Sequence, residues 1–305
     1  MLGQFNALNS PPKNSRFLMD KIRIGGVPEH FNLPIHLAIE KGWFEQEAIQ
    51  VEWTDFPGGS GDMKEALRSG AVDLCILLTE GIVTDILKGN PSKIVSGYVK
   101  TSLTWGIHTS INRSESHTSI FDKRIAISRY GSGSHLMPIV NAMMKDQIIN
   151  ENQFVEVKDI NGGISALNNN IADIFYWEKY TTKPYLEKGK LKKVDEFISP
   201  WPCFMIAATN EIIDSNPEVV SRLLKIIYKA NQSFMELENA VELVTEKFGL
   251  IEKDAARWYH ATEWSVNGWV SNKMLDGVLY SLKEAKIVGS ETTTEGIIWK
   301  RNERN

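Results

Sequence analysis

The run Leu74-Cys75-Ile76-Leu77-Leu78-Thr79 constrains this chain more than any other segment. It shows no polar alternation, so it reads as a strand covered on both faces. Such a strand needs helices above and below it, and the flanking sequence supplies them. Residues 21–27 read as a first strand. Residues 34–41 read as a helix with Pro34 in its first turn and Gly42 as its stop. A second strand over 49–56, a helix over 62–69, a helix over 81–87 and a strand over 94–100 complete one unit. Strands alternating with helices imply an α/β protein with parallel sheets.

The same grammar then repeats. Strands are expected over 124–128, 154–160 and 172–177, with helices over 135–146, from Asn161 to Asn168, and over 178–186. Pro200-Trp201-Pro202 punctuates the chain before a strand over 203–209. Beyond it the sequence is helical. Asn216 caps and Pro217 takes the first helical position, and Val220, Leu223, Leu224, Ile227 and Phe234 follow at helical spacing. Further helices are expected over 240–248, 253–263 and 272–285, with Trp258, Trp264 and Trp269 as packing residues.

Two glycine-rich loops stand out against this background: Pro57-Gly58-Gly59-Ser60-Gly61-Asp62 and Arg129-Tyr130-Gly131-Ser132-Gly133-Ser134-His135. Each leaves a strand-like run and opens a helix-like one. Unpaired N–H groups and the helix dipole make such a junction hospitable to an anion. Two of them, one per α/β unit, suggest a single ligand held from two sides. Nucleotide fingerprints fail, because Lys64 and Leu136 stand where a third dinucleotide-type glycine belongs, and there is no Walker A sequence. No HExxH, nucleophile elbow or histidine pair at ligand spacing occurs, so neither metal nor cofactor is expected.

Length and charge narrow the function further. The 305 residues suit two lobes, and a net charge of −4 argues against a nucleic-acid surface. The basic stretch 188–193 reads as a solvated turn. Cys75 and Cys203 read as free buried thiols. No run approaches the roughly 20 apolar residues of a membrane helix. Residues 1–19 carry neither a signal-peptide core nor a lipidation cysteine, and read as a disordered or tag-like tail. The expected location is therefore cytoplasmic as given, or periplasmic if a native signal was trimmed. The expected partner is a small anionic organic molecule, with no nucleic acid, no membrane insertion, and a transporter only if the protein is secreted.

Residues Ile24-Gly25-Gly26-Val27-Pro28-Glu29-His30, then Pro34-Ile35-His36-Leu37-Ala38-Ile39-Glu40-Lys41-Gly42-Trp43-Phe44, resemble a known family. So do Val51-Glu52-Trp53, Gly58-Gly59-Ser60-Gly61, Ala66-Leu67 and Gly70-Ala71-Val72-Asp73-Leu74. The likeness is to the type II periplasmic-binding-protein fold, in the branch of nitrate, taurine and alkanesulfonate receptors and fungal thiamine-pyrimidine synthases. It covers about residues 20 to 290. The resemblance implies two lobes, each a mixed, mostly parallel sheet flanked by helices, joined by two crossing strands, with the ligand in the cleft. Lobe one would comprise 20–104 plus 205–300 and lobe two 105–204, with crossings near 100–105 and 200–205. The synthases of that branch carry pyridoxal phosphate on a lysine and use a histidine four residues later. Leu77 and Gly81 fall at those positions here, and the clustered cysteines are missing, so the resemblance leans towards a non-catalytic binding protein. A pyridoxal-phosphate-dependent relative of thiamine-pyrimidine biosynthesis is the alternative. A ligand-sensing regulatory domain is a second.

Ligands of open α/β sheets meet the carboxyl ends of strands. That rule selects Glu29, His30 and Asn32, then Gly58, Gly59, Ser60 and Gly61, then Thr79 and Glu80. In the second unit it selects Ser128, Arg129, Ser132, Gly133, Ser134 and His135, then Asn161 and Gly162, then Trp177 and Glu178. Crossing-strand positions add Tyr98, Trp105 and Trp201. Bland alternatives stand beside these. Gly58 and Gly59 fit a tight turn equally well, Ser134 fits an N-cap, His135 fits a surface position, and Trp177 and Trp201 fit core packing. Glu80 and Glu178 sit awkwardly beside anion loops. They suit a ligand bearing both an anionic group and an amine or ring N–H, or they pair with Arg129.

Overall fold

The computed structural model describes residues 19–113 and 119–300; the expected tail therefore falls, except for Met19, outside the described residues. A single eight-stranded sheet runs through the molecule in the order β2-β1-β3-β8-β4-β7-β5-β6. The first lobe holds β1 (Asp20–Gly26), α1 (Leu33–Glu40), β2 (Ile49–Asp55), α2 (Ser60–Arg68), β3 (Leu74–Leu78) and α3 (Thr79–Leu87). Its strands are parallel, β1 pairing with β2 on one side and β3 on the other. All five residues of β3 are buried, as its unbroken apolar run requires.

Then β4 (Ser92–Thr109) crosses to the second lobe. There β5 (Ile125–Ile127), α4 (Gly133–Met143), β6 (Phe154–Glu156), α5 (Ile160–Asn168), β7 (Ile174–Glu178) and α6 (Lys183–Glu187) follow. β8 (Lys192–Thr209) returns. β4 and β8 are 18 residues each, far longer than the strands expected over 94–100 and 203–209. They pair antiparallel from Ser92↔Thr209 to Thr109↔Lys192, with register shifts in between. A tandem of short strand and crossing segment joined into one ladder leaves no break in apolar pattern for the eye to find. The antiparallel strands β4 and β8 also make the sheet mixed. Five helices close the chain: α7 (Asn210–Ser215), α8 (Pro217–Met235), α9 (Ala240–Phe248), α10 (Glu252–Ala261) and α11 (Asn272–Glu284). α8 packs against α1, so these helices cover the first lobe.

The two lobes repeat one device. Asp73, just before β3, accepts from the backbone N–H of Arg23 at 2.8 Å and from its guanidinium at 2.6 Å. Asp173, just before β7, accepts from the backbone N–H of Arg124 at 3.0 Å and from its guanidinium at 2.8 Å. Arg113 also pairs with Asp173. Each aspartate clamps its lobe's first strand, in the middle at Arg23 and just before the start at Arg124, to the start of the third. The turn before it needs a left-handed residue, Gly70 at φ +69° in one lobe and Asn170 at φ +57° in the other. The sequences Ala66-Leu67-Arg68-Ser69-Gly70-Ala71-Val72-Asp73 and Ala166-Leu167-Asn168-Asn169-Asn170-Ile171-Ala172-Asp173 are therefore one motif written twice. Asn in place of Gly hides it.

Three expectations shift. β6 ends at Glu156 rather than at Ile160, because the Asp159 side chain caps α5 by accepting from the Gly162 N–H at 2.8 Å. The helix expected from Glu178 begins at Lys183; Glu178 ends β7, and its carboxylate accepts from the Thr181 N–H at 2.6 Å. Trp258 and Trp264 are buried, but Trp269 is 62% exposed and does not pack in the core.

Candidate functional site

Between the lobes lies a small, partly open cavity of about 50 Å³. Its apolar walls are Val27, Leu78, Leu103, Trp105, Trp177 and Phe204, and its polar walls are Glu29, Gly59, Ser60, Ser128, Ser132, Gly133, Ser134 and Glu178. Three helix starts meet here. Gly59 is the N-cap of α2, Leu78 of α3 and Ser132 of α4. The first amides of an α-helix have no partner within it, so those of Ser60, Gly61, Gly133 and Ser134 present donors and partial positive charge to this region.

Local sequence explains the approach. Gly59 has φ +73° and ψ −155°, a combination reserved for glycine. At Gly133 a Cβ would collide with Leu78 and with the Trp105 ring, so α4 reaches the cavity only because that position lacks a side chain. The serines form a buried cluster. Ser134 Oγ accepts from the Ser128 N–H at 2.8 Å and lies 3.0 Å from Ser132 Oγ, which donates to the Arg129 carbonyl at 2.7 Å. Ser134 thus sits inside the first turn of α4; Ser132, not Ser134, is the N-cap residue.

Gly58 and Gly61 serve a different purpose. A Cβ on either would strike the Arg129 side chain, which lies across the 58–61 loop and pairs with Asp62. Arg129 belongs to the second lobe and Asp62 to the first, so this pair bridges the cleft. Lys64 does likewise, donating from Nζ to the Gly131 carbonyl at 2.6 Å, and Lys183 pairs with Asp254 at 3.2 Å. Consequently Arg129 neutralises neither Glu80 nor Glu178, one of the pairings left open by the sequence.

The carboxyls of this region are buried without such a cation. Burial pushes Glu178 up to about 7, against the hydrogen bonds from Thr181. Glu29 is half-buried as a residue, but its carboxyl faces the cavity. Desolvation and then the charge of Glu178 push it up to about 8, against hydrogen bonds from Thr181 and Trp177. Glu80 lies behind the wall, raised to about 7 by burial; its Oε2 accepts from Trp201 Nε1 at 2.8 Å and its Oε1 has no partner in the protein. The indole N–H of Trp105 is likewise unpartnered.

Of the residues selected from sequence, Glu29, Gly59, Ser60, Trp105, Ser128, Ser132, Gly133, Ser134, Trp177 and Glu178 lie in the cavity wall. Others are placed elsewhere. Asn32 is buried and donates to the Val27 carbonyl at 2.7 Å; Tyr98 is buried and donates to the Phe31 carbonyl at 2.9 Å. Thr79 donates to the Pro202 carbonyl, and Trp201 holds Glu80. His30 is packed on Trp258, its ring centroid 4.2 Å away, with Nε2 3.8 Å from Glu178; burial lowers its pKa to about 3, so it is neutral. Asn161 is exposed and Gly162 backs onto the Val157 carbonyl, both in the first turn of α5 and off the cavity wall. Leu78, Leu103 and Phe204 are apolar wall residues that no polar motif marks. The first of them ends the apolar β3 run, where the carboxyl-end rule points. Among the described residues no cluster of His, Cys, Asp and Glu is arranged to hold a metal.

Residues 105–197, most of the second lobe, match the family model described as Ca3427-like PBP. Over the whole fold the chain is similar to the Candida albicans CA3427 gene product, described as defining a new family with the generic periplasmic binding protein fold. The identity is 25%, the TM-score 0.83, and the match covers 89% of this chain and 92% of that one. The alkanesulfonate-binding protein SsuA from Xanthomonas axonopodis pv. citri, bound to MOPS, is similar at 13% identity and TM-score 0.76, covering 92% and 98%. The periplasmic nitrate-binding protein NrtA from Synechocystis PCC 6803 is similar at 15% identity and TM-score 0.67, covering 90% and 83%. No curated protein matches the sequence. No helix among the described residues is long and apolar enough to cross a membrane. The chain is a two-lobed protein of the periplasmic-binding-protein fold, similar in its second lobe to the Ca3427-like family and in its architecture to sulfonate- and nitrate-binding proteins.

Proposed function

We propose that this protein binds a small organic molecule, without transforming it, in the cavity between its lobes, with an anionic group of that molecule facing the starts of α2 and α4. One observation carries this reading: helix N-termini from opposite lobes, Gly59–Ser60 and Gly133–Ser134, meet in the wall of one cavity. The lobe boundaries that go with it are 20–104 plus 205–300 and 105–204. The bridging contacts of Arg129, Lys64 and Lys183 supply the closed state, and hinge motion would occur in β4 and β8. The sulfonate and nitrate named for the structural neighbours support an anionic group. Leu77, fully buried within β3, and Gly81, packed against Ser60, support binding over pyridoxal chemistry.

The test is a thermal-shift screen with sulfonates, carboxylates, pyrimidine phosphates and pyridoxal phosphate, followed by calorimetry on any hit. Saturable stabilisation by at least one of these anions, lost in Gly133→Ala, is the expected result. Absence of any shift across the panel overturns the reading. Appearance of an imine absorbance with pyridoxal phosphate favours the enzymatic alternative.

A further inference from the structure

The cavity wall holds two carboxyls and no cation. Glu29 comes from the loop after β1 and Glu178 from the end of β7, so each lobe contributes one. Thr181 serves Glu178: its N–H and hydroxyl donate to Glu178 Oε2 at 2.6 and 2.9 Å. Trp177, on the same strand as Glu178, lines the cavity beside both carboxyls. The two cations of the neighbouring loops are committed elsewhere, Arg129 to Asp62 and Lys64 to the Gly131 carbonyl. Lys179, next in the chain to Glu178, is paired with Glu196, and His30 stays neutral in an aromatic nest of Phe31, Phe248 and Trp258.

A simple inorganic or sulfonate anion would leave this pair protonated and idle, whereas a cation set between the two carboxyls would favour their ionised forms and be held by both. Folding them into a cavity without a counter-charge is costly unless something supplies one. An independent sign of a missing occupant is the indole N–H of Trp105, which lies in the same wall, is 4% exposed and has no acceptor in the protein. The rings of Trp105, Trp177 and Phe204 in the same wall offer apolar faces and edges to a planar body.

Resting on the reading of the cavity as a ligand site, we propose that the ligand is bifunctional. A cationic nitrogen group of the amidinium type, with paired N–H donors, is clasped between Glu29 and Glu178, while its acceptor end takes the amides of α2 and α4 and the Trp105 N–H. Paired N–H donors on a planar cation match carboxylates with both charge and geometry, as guanidinium does. Because the two carboxyls belong to different lobes, a cation that ionises and binds both would also hold the lobes together. This assignment separates the protein from receptors of simple anions on the same fold.

The experiment compares 4-amidinobenzoate with 4-carbamoylbenzoate, which keeps the shape and the carboxylate but replaces the cation by a neutral amide. Calorimetry on the full chain is expected to show at least tenfold tighter binding of the amidine. Glu29→Gln and Glu178→Gln should each shrink that ratio towards one, while circular dichroism and thermal melts show that the variants fold. Equal or tighter binding of the amide overturns the proposal. If neither probe binds but a sulfonate such as MOPS does, the cation site is overturned and the cavity remains a ligand site. Failure of every compound removes both.

Discussion

In the first lobe the loop after β2, with Gly59 and Ser60, reaches the cavity; its counterpart in the second lobe, the loop after β6 with Asn161 and Gly162, does not. In the second lobe the loop after β5 takes that place, through Ser132, Gly133 and Ser134. Its own counterpart in the first lobe, the loop after β1, brings a carboxylate, Glu29, instead of glycines. The scaffolds match down to the Arg23–Asp73 and Arg124–Asp173 clamps. The difference teaches that the clamps hold the repeated sheet, while the loops at the strand ends vary freely and give the cavity one polar wall of amides and one of carboxyls.

The strongest attack on the shared scaffold is at the clamps. Asp173→Ala removes an acceptor of both Arg113 and Arg124 and should cost about 2–3 kcal/mol in denaturant unfolding, the partly exposed arginines being resolvated. Asp73→Ala frees only Arg23 and should cost about 1.5–3 kcal/mol. Equal costs would show that the second arginine adds nothing. Burial opposes the ionisation of Asp173, but the hydrogen bonds of Arg124 and Arg113 win and hold its carboxyl well below the usual range. A depressed folded pKa means stability that is present above the unfolded value of 3.8 and lost as pH falls below it. The Asp173→Ala variant should therefore lose less stability than the parent on acidification below pH 4.

The glycines separate the loops. Gly133→Ala forces overlap with Leu78 and Trp105 and should cost about 1–3 kcal/mol together with most ligand affinity. Gly59→Ala meets no neighbour but strains the backbone by about 1–3 kcal/mol, again with loss of binding. Gly162→Ala collides with the Val157 carbonyl and should lower the melting temperature while leaving affinity unchanged, because it lies off the cavity. Ligand loss in Gly162→Ala would break the contrast between the two loops.

A milder effect appears with pH. Glu29 and Glu178 hold their protons to about 8 and about 7 in the folded protein but release them near 4.5 when unfolded. The folded state then binds more protons, so these groups subtract stability as pH rises through that window. His30, His108 and His135, lowered to about 3, 4 and 4 by burial, act in the opposite direction, adding stability as pH rises towards 6.5. Above pH 7 the histidine contribution is nearly spent, and Glu29, Glu178 and Glu80, the last raised to about 7, dominate up to pH 8. The melting temperature of the free protein should fall there, and Glu29→Gln should flatten the fall; an unchanged slope would show that Glu29 is ionised throughout. The smallest effect is expected from Lys64→Ala, which removes one bridging hydrogen bond of about 0.5–1.5 kcal/mol and should enlarge the radius of gyration in solution scattering rather than unfold the chain.

Much of this architecture was legible in one dimension. The apolar run of β3, the proline-led starts of α1 and α8 and the glycine stop at Gly42 are local effects, readable because strand burial and φ preference act on neighbouring residues. The two glycine loops were visible for the same reason. Roles decided at a distance were not. Arg129 reads as a ligand cation until Asp62 is seen to hold it, and Tyr98 reads as a cleft aromatic until its hydroxyl is found on the Phe31 carbonyl. Glu29 stood among the strand-end residues, but nothing nearby in the chain set it above His30 or Asn32.

The chain by itself determined its alternation of strands and helices, the places where helices begin, and the doubled Leu-x-x-(Gly/Asn)-x-x-Asp turn, since each depends on residues within a few positions of one another. Only the tertiary structure decided which strand ends share a cavity. β4 and β8 carry the two lobes into one sheet, and that crossing brings Gly59 to Gly133 and Glu29 to Glu178. Contacts between residues so far apart in sequence follow from packing and strand register, which local pattern does not encode.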